Sequence, residues 1–246
     1  MDIISETKKN LLRAQDIWIF PSKNLPDAIP SSLALFYTLK KISKNVNLFL
    51  ESFPKKIDFL IPSLNNIYYP SEFTVLIKNS GKDVSQISYE KNGNDLKLHF
   101  SLKKGAVKKE NVSFEWNFKK PDLIVAIGIK KLNEIEALYN KDDVKNSPIL
   151  NIDSQTSNEK FGKINLIEQN STVTEITAQI IKSIDENLFE ENISTCLLTG
   201  LILVSENFSK PKNLSQNFER ANFLIKKGGA WQKVIDFIKN YEAEPK

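Results

Sequence analysis

Apolar residues recur along this chain at two different spacings, and the switch between them divides it. Lys8–Ala14 reads as a helix, and Asp16–Phe20 is a short apolar run suited to a buried strand. Across Asp27–Ser43, Ile29, Leu33, Phe36, Leu39 and Ile42 follow steps of three and four, which predicts an amphipathic helix. Ser22, Asn24 and Asp27 offer cap or turn chemistry before it. Val46–Leu50 predicts a second buried strand, and Pro54–Ile61 a short helix. From Tyr69 to Trp116 the period becomes two: Phe73, Val75 and Ile77, then Ile87 and Tyr89, then Leu96, Leu98 and Phe100, then Val112, Phe114 and Trp116. Asn92-Gly93-Asn94 is a hairpin signal between two of these runs.

Continuous apolar runs resume at Asp122–Ile127 and Pro148–Ile152, with a helix predicted between them over Lys130–Tyr139. Helices are predicted at Thr172–Ile184, Ile193–Val204, Ser215–Lys226 and Trp231–Tyr241, with Gly228 ending the third. Buried strands alternating with helices predict an α/β domain, a mostly parallel sheet of about five strands with helices on both faces. A small antiparallel β insertion over 69–118 interrupts one domain spanning 1–246. Ligand sites in such sheets lie at the carboxyl ends of the strands. That points to the segments after Phe20, Ile127 and Ile152, and to the neighbourhood of Val204.

Composition adds constraints. At 41% hydrophobic and 26% charged residues the chain is ordinary globular protein. Its longest apolar run, near Cys196–Val204, falls far short of the roughly 20 residues of a membrane span, so no membrane partner is expected. The acidic start, Met1-Asp2-Ile3-Ile4-Ser5-Glu6, lacks a signal-peptide pattern, and the lone Cys196 excludes an internal disulfide. A cytoplasmic protein is expected. The net charge of +4 is almost all lysine, with only Arg13 and Arg220 as arginines. It reads as compositional bias rather than a nucleic-acid surface. Lys103-Lys104 and Lys108-Lys109 flank Gly105 in what reads as a solvated loop. His99, the only histidine, sits in a strand-like stretch, so any chemistry needing two histidines is excluded within one chain.

Three stretches carry a resemblance. Asn151-Ile152-Asp153-Ser154-Gln155-Thr156-Ser157-Asn158-Glu159-Lys160-Phe161-Gly162-Lys163-Ile164-Asn165 resembles the pattern N-I-D-H-H-x-S-N-x-x-F-G-x-I-N of the DHH phosphoesterases. That family includes RecJ-type exonucleases and the oligoribonucleases that also cleave phosphoadenosine phosphate. Residues 24–35, from Asn24-Leu25-Pro26-Asp27-Ala28-Ile29 onward, look like its N-P-D-x-D-A-I-G-S-x-L-A-L, and Leu197-Leu198-Thr199-Gly200-Leu201-Ile202 looks like its L-L-x-G-I-I.

The resemblance implies two divalent metals, usually manganese, held by Asp and His. Carried over position by position, the first-motif histidine falls on Pro21 and its aspartates on Leu25 and Asp27. The second-motif aspartate falls on Gly128. The triplet keeps Asp153 but has Ser154 and Gln155 for its histidines, and the last aspartate falls on Val204. Asp27 and Asp153 are therefore remnant metal-site positions, and no catalytic residue and no bound metal or cofactor is expected. Glu206 is a further carboxylate close to Val204. Asp27 has a second reading as a helix cap, Asp153 as an acceptor for turn N–H groups, and Ser154 and Gln155 as either anion contacts or ordinary turn residues.

The family's C-terminal substrate-binding domain, roughly 100 residues as small domains are, is expected to be missing. The resulting expectation is an inactive phosphoesterase-like protein that acts through a protein partner or self-association. The alternative is residual manganese-dependent phosphodiesterase activity, or nucleotide or nucleic-acid binding. Phe223, Ile225, Trp231, Val234, Ile235, Phe237 and Ile238 crowd the last segment, as a contact surface or an internal packing face would require.

Overall fold

In the computed structural model, which describes residues 2–50, 55–61, 72–78, 84–117, 120–136, 144, 146–209 and 214–242, α1 (Ile3–Arg13) starts where the Asp2 carboxylate accepts the Ile4 N–H at 3.0 Å. That cap extends the helix five residues ahead of the sequence expectation, and it aligns Thr7 and Leu11 toward the interior. The chain continues through β1 (Asp16–Pro21), α2 (Ala28–Lys41), β2 (Asn45–Leu48) and a 3-10 turn at Lys55–Leu60. Strands β3 (Glu72–Ile77), β4 (Val84–Asn92), β5 (Asp95–Leu102) and β6 (Val112–Asn117) follow. Next come β7 (Leu123–Ile127), α3 (Leu132–Glu136), β8 (Ile149–Asp153) and β9 (Ile164–Ile167). Helices α4 (Val173–Ile184), α5 (Glu191–Val204), α6 (Leu214–Lys226) and α7 (Trp231–Glu242) complete the order. The expected extension of the helix after Ile127 to Tyr139 lies partly outside the described residues.

The chain divides into two compact units, Met1–Tyr68 with Lys120–Lys246, and Tyr69–Lys119. In the first, five parallel strands form one sheet in the order β2-β1-β7-β8-β9. Strand β9 went unrecognised in the sequence, where it is four residues inside a motif. Strand order reverses between β1 and β7, which places a crevice beyond their carboxyl ends.

Both faces of the sheet are covered. Alternation along the strands sends Ile17, Ile19, Leu123, Val125, Leu150 and Ile152 into the main core with α2, α4 and α5. Trp18, Phe20, Ile124 and Ala126 point the other way and are fully buried too. There Phe49 stacks on Phe20 at 4.6 Å between ring centroids. This explains why these strands read as unbroken apolar runs instead of alternating ones.

Helices α2 and α5 make the most extensive helix–helix contact and are buried on nearly every side. Two of their threonine hydroxyls are satisfied within the helices: Thr38 donates to the Ala34 carbonyl and Thr199 to the Thr195 carbonyl, each at 2.8 Å. Cys196 lies in this wall with its thiol enclosed, and burial pushes that thiol well above its ordinary range. Among the described residues no helix is long and apolar enough to cross a membrane.

The second unit consists of two antiparallel ribbons, β3 with β6 and β4 with β5. The β4–β5 hairpin turns at Gly93, whose φ of 60° is a conformation a side chain would disfavour.

At Gly200 α5 packs closely on α4, since a Cβ there would sit 2.4 Å from the Thr174 hydroxyl oxygen. On an exposed helix, replacing Gly with Ala stabilises by about 1 kcal/mol. Here Gly200→Ala is expected to destabilise by about 1–3 kcal/mol through overpacking. Urea denaturation decides between the two signs, and a stabilised variant would refute the close approach.

Candidate functional site

The crevice beyond β1, β7 and β8 is built by residues on one level of the sheet. Pro21 pairs with Ile127, and Ile127 with Ile152, so Ser22, Gly128 and Asp153 form the next row outward. Backbone bonds hold that row: the Ser22 N–H donates to the Ile127 carbonyl and the Gly128 N–H to the Ile152 carbonyl, both at 2.8 Å.

Asp153 ends β8 with its side chain fully buried. Its Oδ1 accepts the Ser154 N–H at 2.7 Å, the Gln155 N–H at 3.2 Å and the Gln155 amide at 3.1 Å. Its Oδ2 accepts the Asn158 amide at 2.7 Å and the Gln155 amide at 3.3 Å. The Gln155 amide also donates to the Gly128 carbonyl at 3.1 Å, so one side chain bridges the ends of β7 and β8. Asn158 donates to the Ile129 carbonyl at 2.9 Å, and its own oxygen accepts from the Asn151 amide at 2.8 Å. Asn165 closes the loop on Gly162 with two bonds of 2.9 and 2.7 Å. The motif residues thus satisfy one another. Ser154 and Gln155 are half-buried at the surface of this network.

Gly128 and Leu25 meet. Gly128 adopts a φ of 70°, and a Cβ built on it would lie 2.8 Å from a Leu25 methyl and 3.4 Å from the Cβ atoms of Ser22 and Ala28. The leucine side chain occupies the space a larger residue at 128 would need. Two positions more than a hundred residues apart therefore form one apolar contact at the mouth of β7.

Asp27 does not cap its own helix. It stands at the N-terminal boundary of α2 but forms no side-chain cap there. Its Oδ2 instead accepts the Thr174 N–H at 3.0 Å and the Thr174 hydroxyl at 3.2 Å, in the first turn of α4. The cap reading is thus corrected: the carboxylate serves a neighbouring helix, whose positive end favours it. Burial raises the Asp27 pKa above the ordinary aspartate range, opposed by the bonds from Thr174. Ser31 on α2 reaches the same Thr174 hydroxyl at 3.1 Å. The polar contact at Asp27 joins α2 to α4, and sequence reasoning missed its partner Thr174.

Val204 ends α5 half-buried. Beyond it Glu206, Asn207 and Phe208 all take positive φ, and the Ser205 hydroxyl accepts the Phe208 N–H at 3.2 Å. Glu206 is exposed in this left-handed turn. Among the described residues no group of three or more His, Cys, Asp or Glu stands together to hold a metal. His99 lies on the second unit, 3.6 Å from Glu90.

A groove of about 370 Å³ runs between α4, α5 and α6, floored by Ala178, Phe189, Leu201 and Phe223. Arg220 crosses its rim to Glu175 at 2.7 Å, and Glu175 completes the capping box of α4 with Thr172. In the last segment Val234 is buried and Phe223 packs edge-on against Phe189 at 5.1 Å, while Ile225 and Trp231 are exposed. The side chains of Phe237 and Ile238 lie outside the described residues.

No family model matches this sequence, and no curated protein does. Among solved structures, an exopolyphosphatase-related protein from Bacteroides fragilis is similar over 97% of this chain, with a TM-score of 0.66 at 18% identity. The chain spans 60% of that protein's length. The likeness is one of fold.

Two outcomes follow. Because burial raises the Asp27 pKa, the folded chain holds that proton more tightly than the unfolded one. The resulting stability is complete below the ordinary value of 3.8 and is lost as pH rises through the raised folded value. Asp27→Asn removes the titration, so the stability difference should move in favour of the variant as pH rises above the ordinary value of 3.8. A difference that stays flat as pH rises from there contradicts the assignment. Gly128→Asp forces a side chain into positive φ against Leu25 and should cost about 1–3 kcal/mol, read as a lower Tm. A neutral effect would show that Leu25 does not fill that space.

Proposed function

We propose that this chain is a DHH-type phosphoesterase-like protein without hydrolytic activity, which works by binding a protein partner or another copy of itself. The observation that carries this reading is the state of Asp153: both carboxylate oxygens are already engaged by N–H groups of Ser154, Gln155 and Asn158.

The family that the sequence resembles uses two divalent metals to activate water and stabilise an in-line displacement at phosphorus. The donors present do not fit manganese. A hard cation needs free oxygen or imidazole ligands converging on one point. To bind one, Asp153 would have to exchange its N–H partners for the ion. Asp27 directs an oxygen at the first turn of α4, and Pro21, Leu25, Gly128 and Val204 bring no ligating side chain. Gln155, at the position of the family's catalytic histidine, bridges Gly128 to Asp153 and has no group that exchanges protons near neutral pH. The phosphoesterase-like fold supports the lineage, and the exposed Phe218, Ile225 and Trp231 support a contact role.

Titrating Mn²⁺ into the purified chain at micromolar concentration should give no calorimetric signal. Short oligonucleotides and phosphoadenosine phosphate should remain intact in its presence. Manganese-dependent turnover that disappears in Asp153→Ala would overturn the reading in favour of a residual phosphodiesterase.

A further inference from the structure

The β4–β5 hairpin turns through Gly93 and Asn94, so Asn92 and Asp95 close it as a hydrogen-bonded pair. In an antiparallel ladder such pairs alternate with pairs that turn their backbone groups outward. Glu90 with Lys97 and Ser88 with His99 are therefore bonded to each other across the ribbon. Leu96, Leu98 and Phe100 direct their N–H and carbonyl groups away from β4, along the outer edge of β5. Among the described residues neither strand of this ribbon has a second neighbour.

The register also sorts the side chains. Ile87, Tyr89, Leu96 and Leu98 share one face and are 63%, 66%, 54% and 43% exposed. Ser88, Glu90, Lys97 and His99 share the other. A two-stranded ribbon is marginally stable in water, and a third strand that extends its apolar face stabilises it.

The two edges differ in their suitability for such a strand. β4 is bulged between Val84 and Gln86, a feature that blunts an edge, and it carries Glu90. β5 keeps one register over Ser101–Asp95. From Asp95 to Lys109 five lysines stand against one acid, Asp95 itself. Glu90 turns to His99 at 3.6 Å, and among the described residues Lys97, Lys103 and Lys104 make no ion pair.

We propose that the outer edge of β5 takes an extended segment of another protein, one in which apolar residues alternate with acidic ones. The inference deepens the reading that the chain works by binding, and states the chemistry of the partner. Leu96, Leu98 and Phe100 supply the backbone bonds of the new ladder. The segment's apolar residues continue the face of Leu96 and Leu98. Its acidic residues fall on the other side, beside Lys97, with the strands about 4.8 Å apart. Opposite charges on facing positions stabilise a strand pair and like charges destabilise it. The lysines therefore select: two copies of β5 would bring lysine-rich edges together, whereas an acidic strand neutralises one. Residues 69–119 contain no arginine, the side chain that nucleic-acid surfaces favour.

Fluorescence anisotropy tests this with a labelled eight-residue peptide alternating valine with glutamate, titrated with the full chain to about 100 μM, which covers weak micromolar affinities. Saturable binding is expected, at least tenfold tighter than that of a peptide alternating valine with lysine. Lys97→Glu with Lys103→Glu should invert this preference. Leu98→Pro removes an outward N–H and none of the hairpin's own bonds, and should weaken binding at least tenfold. Lys91→Glu, on the β4 edge, should leave binding unchanged. All four side chains are exposed, so circular dichroism and Tm should hold. No binding of the glutamate peptide at the highest concentration overturns the proposal, as does equal affinity for the two peptides. Binding that survives Leu98→Pro overturns edge addition. A dimer of the chain that Leu98→Pro abolishes overturns the proposal by assigning the edge to self-association. Sedimentation with vesicles of phosphatidylglycerol and phosphatidylcholine that the glutamate peptide does not compete also overturns it, by assigning the face to lipid. Manganese binding and turnover are measured separately, so failure at this edge and failure of the non-hydrolytic reading remain distinguishable.

Discussion

The helical layer on one face of the sheet depends on a single buried carboxylate. Asp27 leaves β1's loop, turns away from its own helix, and accepts two bonds from Thr174 in the first turn of α4. An Asp sealed from water raises the free energy of its charged form unless donors are already oriented toward it. The first turn of a helix offers such donors without rearrangement. Ser31 then joins the same hydroxyl from α2, and Gly200 gives it room from α5. Three helices thereby meet around the Thr174 hydroxyl.

Two kinds of closure meet at the ends of the strands. One is apolar, where the Leu25 methyl lies over Gly128. The other is polar, where Gln155 bridges the Gly128 carbonyl to Asp153 and Asn158 ties Asp153 to the Ile129 carbonyl. Both join loops that follow different strands. In a site organised by ions, such loops are cross-linked through the metals. Here side-chain amides and a methyl contact join them.

Much of the first unit could be read directly from the sequence, because strands buried on both faces leave continuous apolar runs such as Leu123–Ile127. Strand β9 escaped because its burial alternates over only four residues. The start of α1 escaped because it depends on one aspartate, Asp2, ahead of a weakly patterned stretch. At the crevice, local pattern identified the positions but not their partners. Asp27 and Thr174 are 147 residues apart, and no spacing rule links them. The meeting of Leu25 with Gly128 likewise exists only once β1 and β7 are neighbours. In the second unit, alternation told which face of each ribbon is apolar, but whether anything covers that face is a property of the fold.

Cys196 gives this molecule an internal clock. Its thiol is the only one in the chain, lies in the wall formed by α5, and is held in its unreactive protonated form by burial. Alkylating reagents attack the thiolate, so labelling must wait until that wall opens to water. The labelling rate therefore counts openings of the α2–α5 layer, in the way amide exchange counts openings of backbone bonds. Mass spectrometry of one modified site would then follow the breathing of the central helices under native conditions, with no engineered probe.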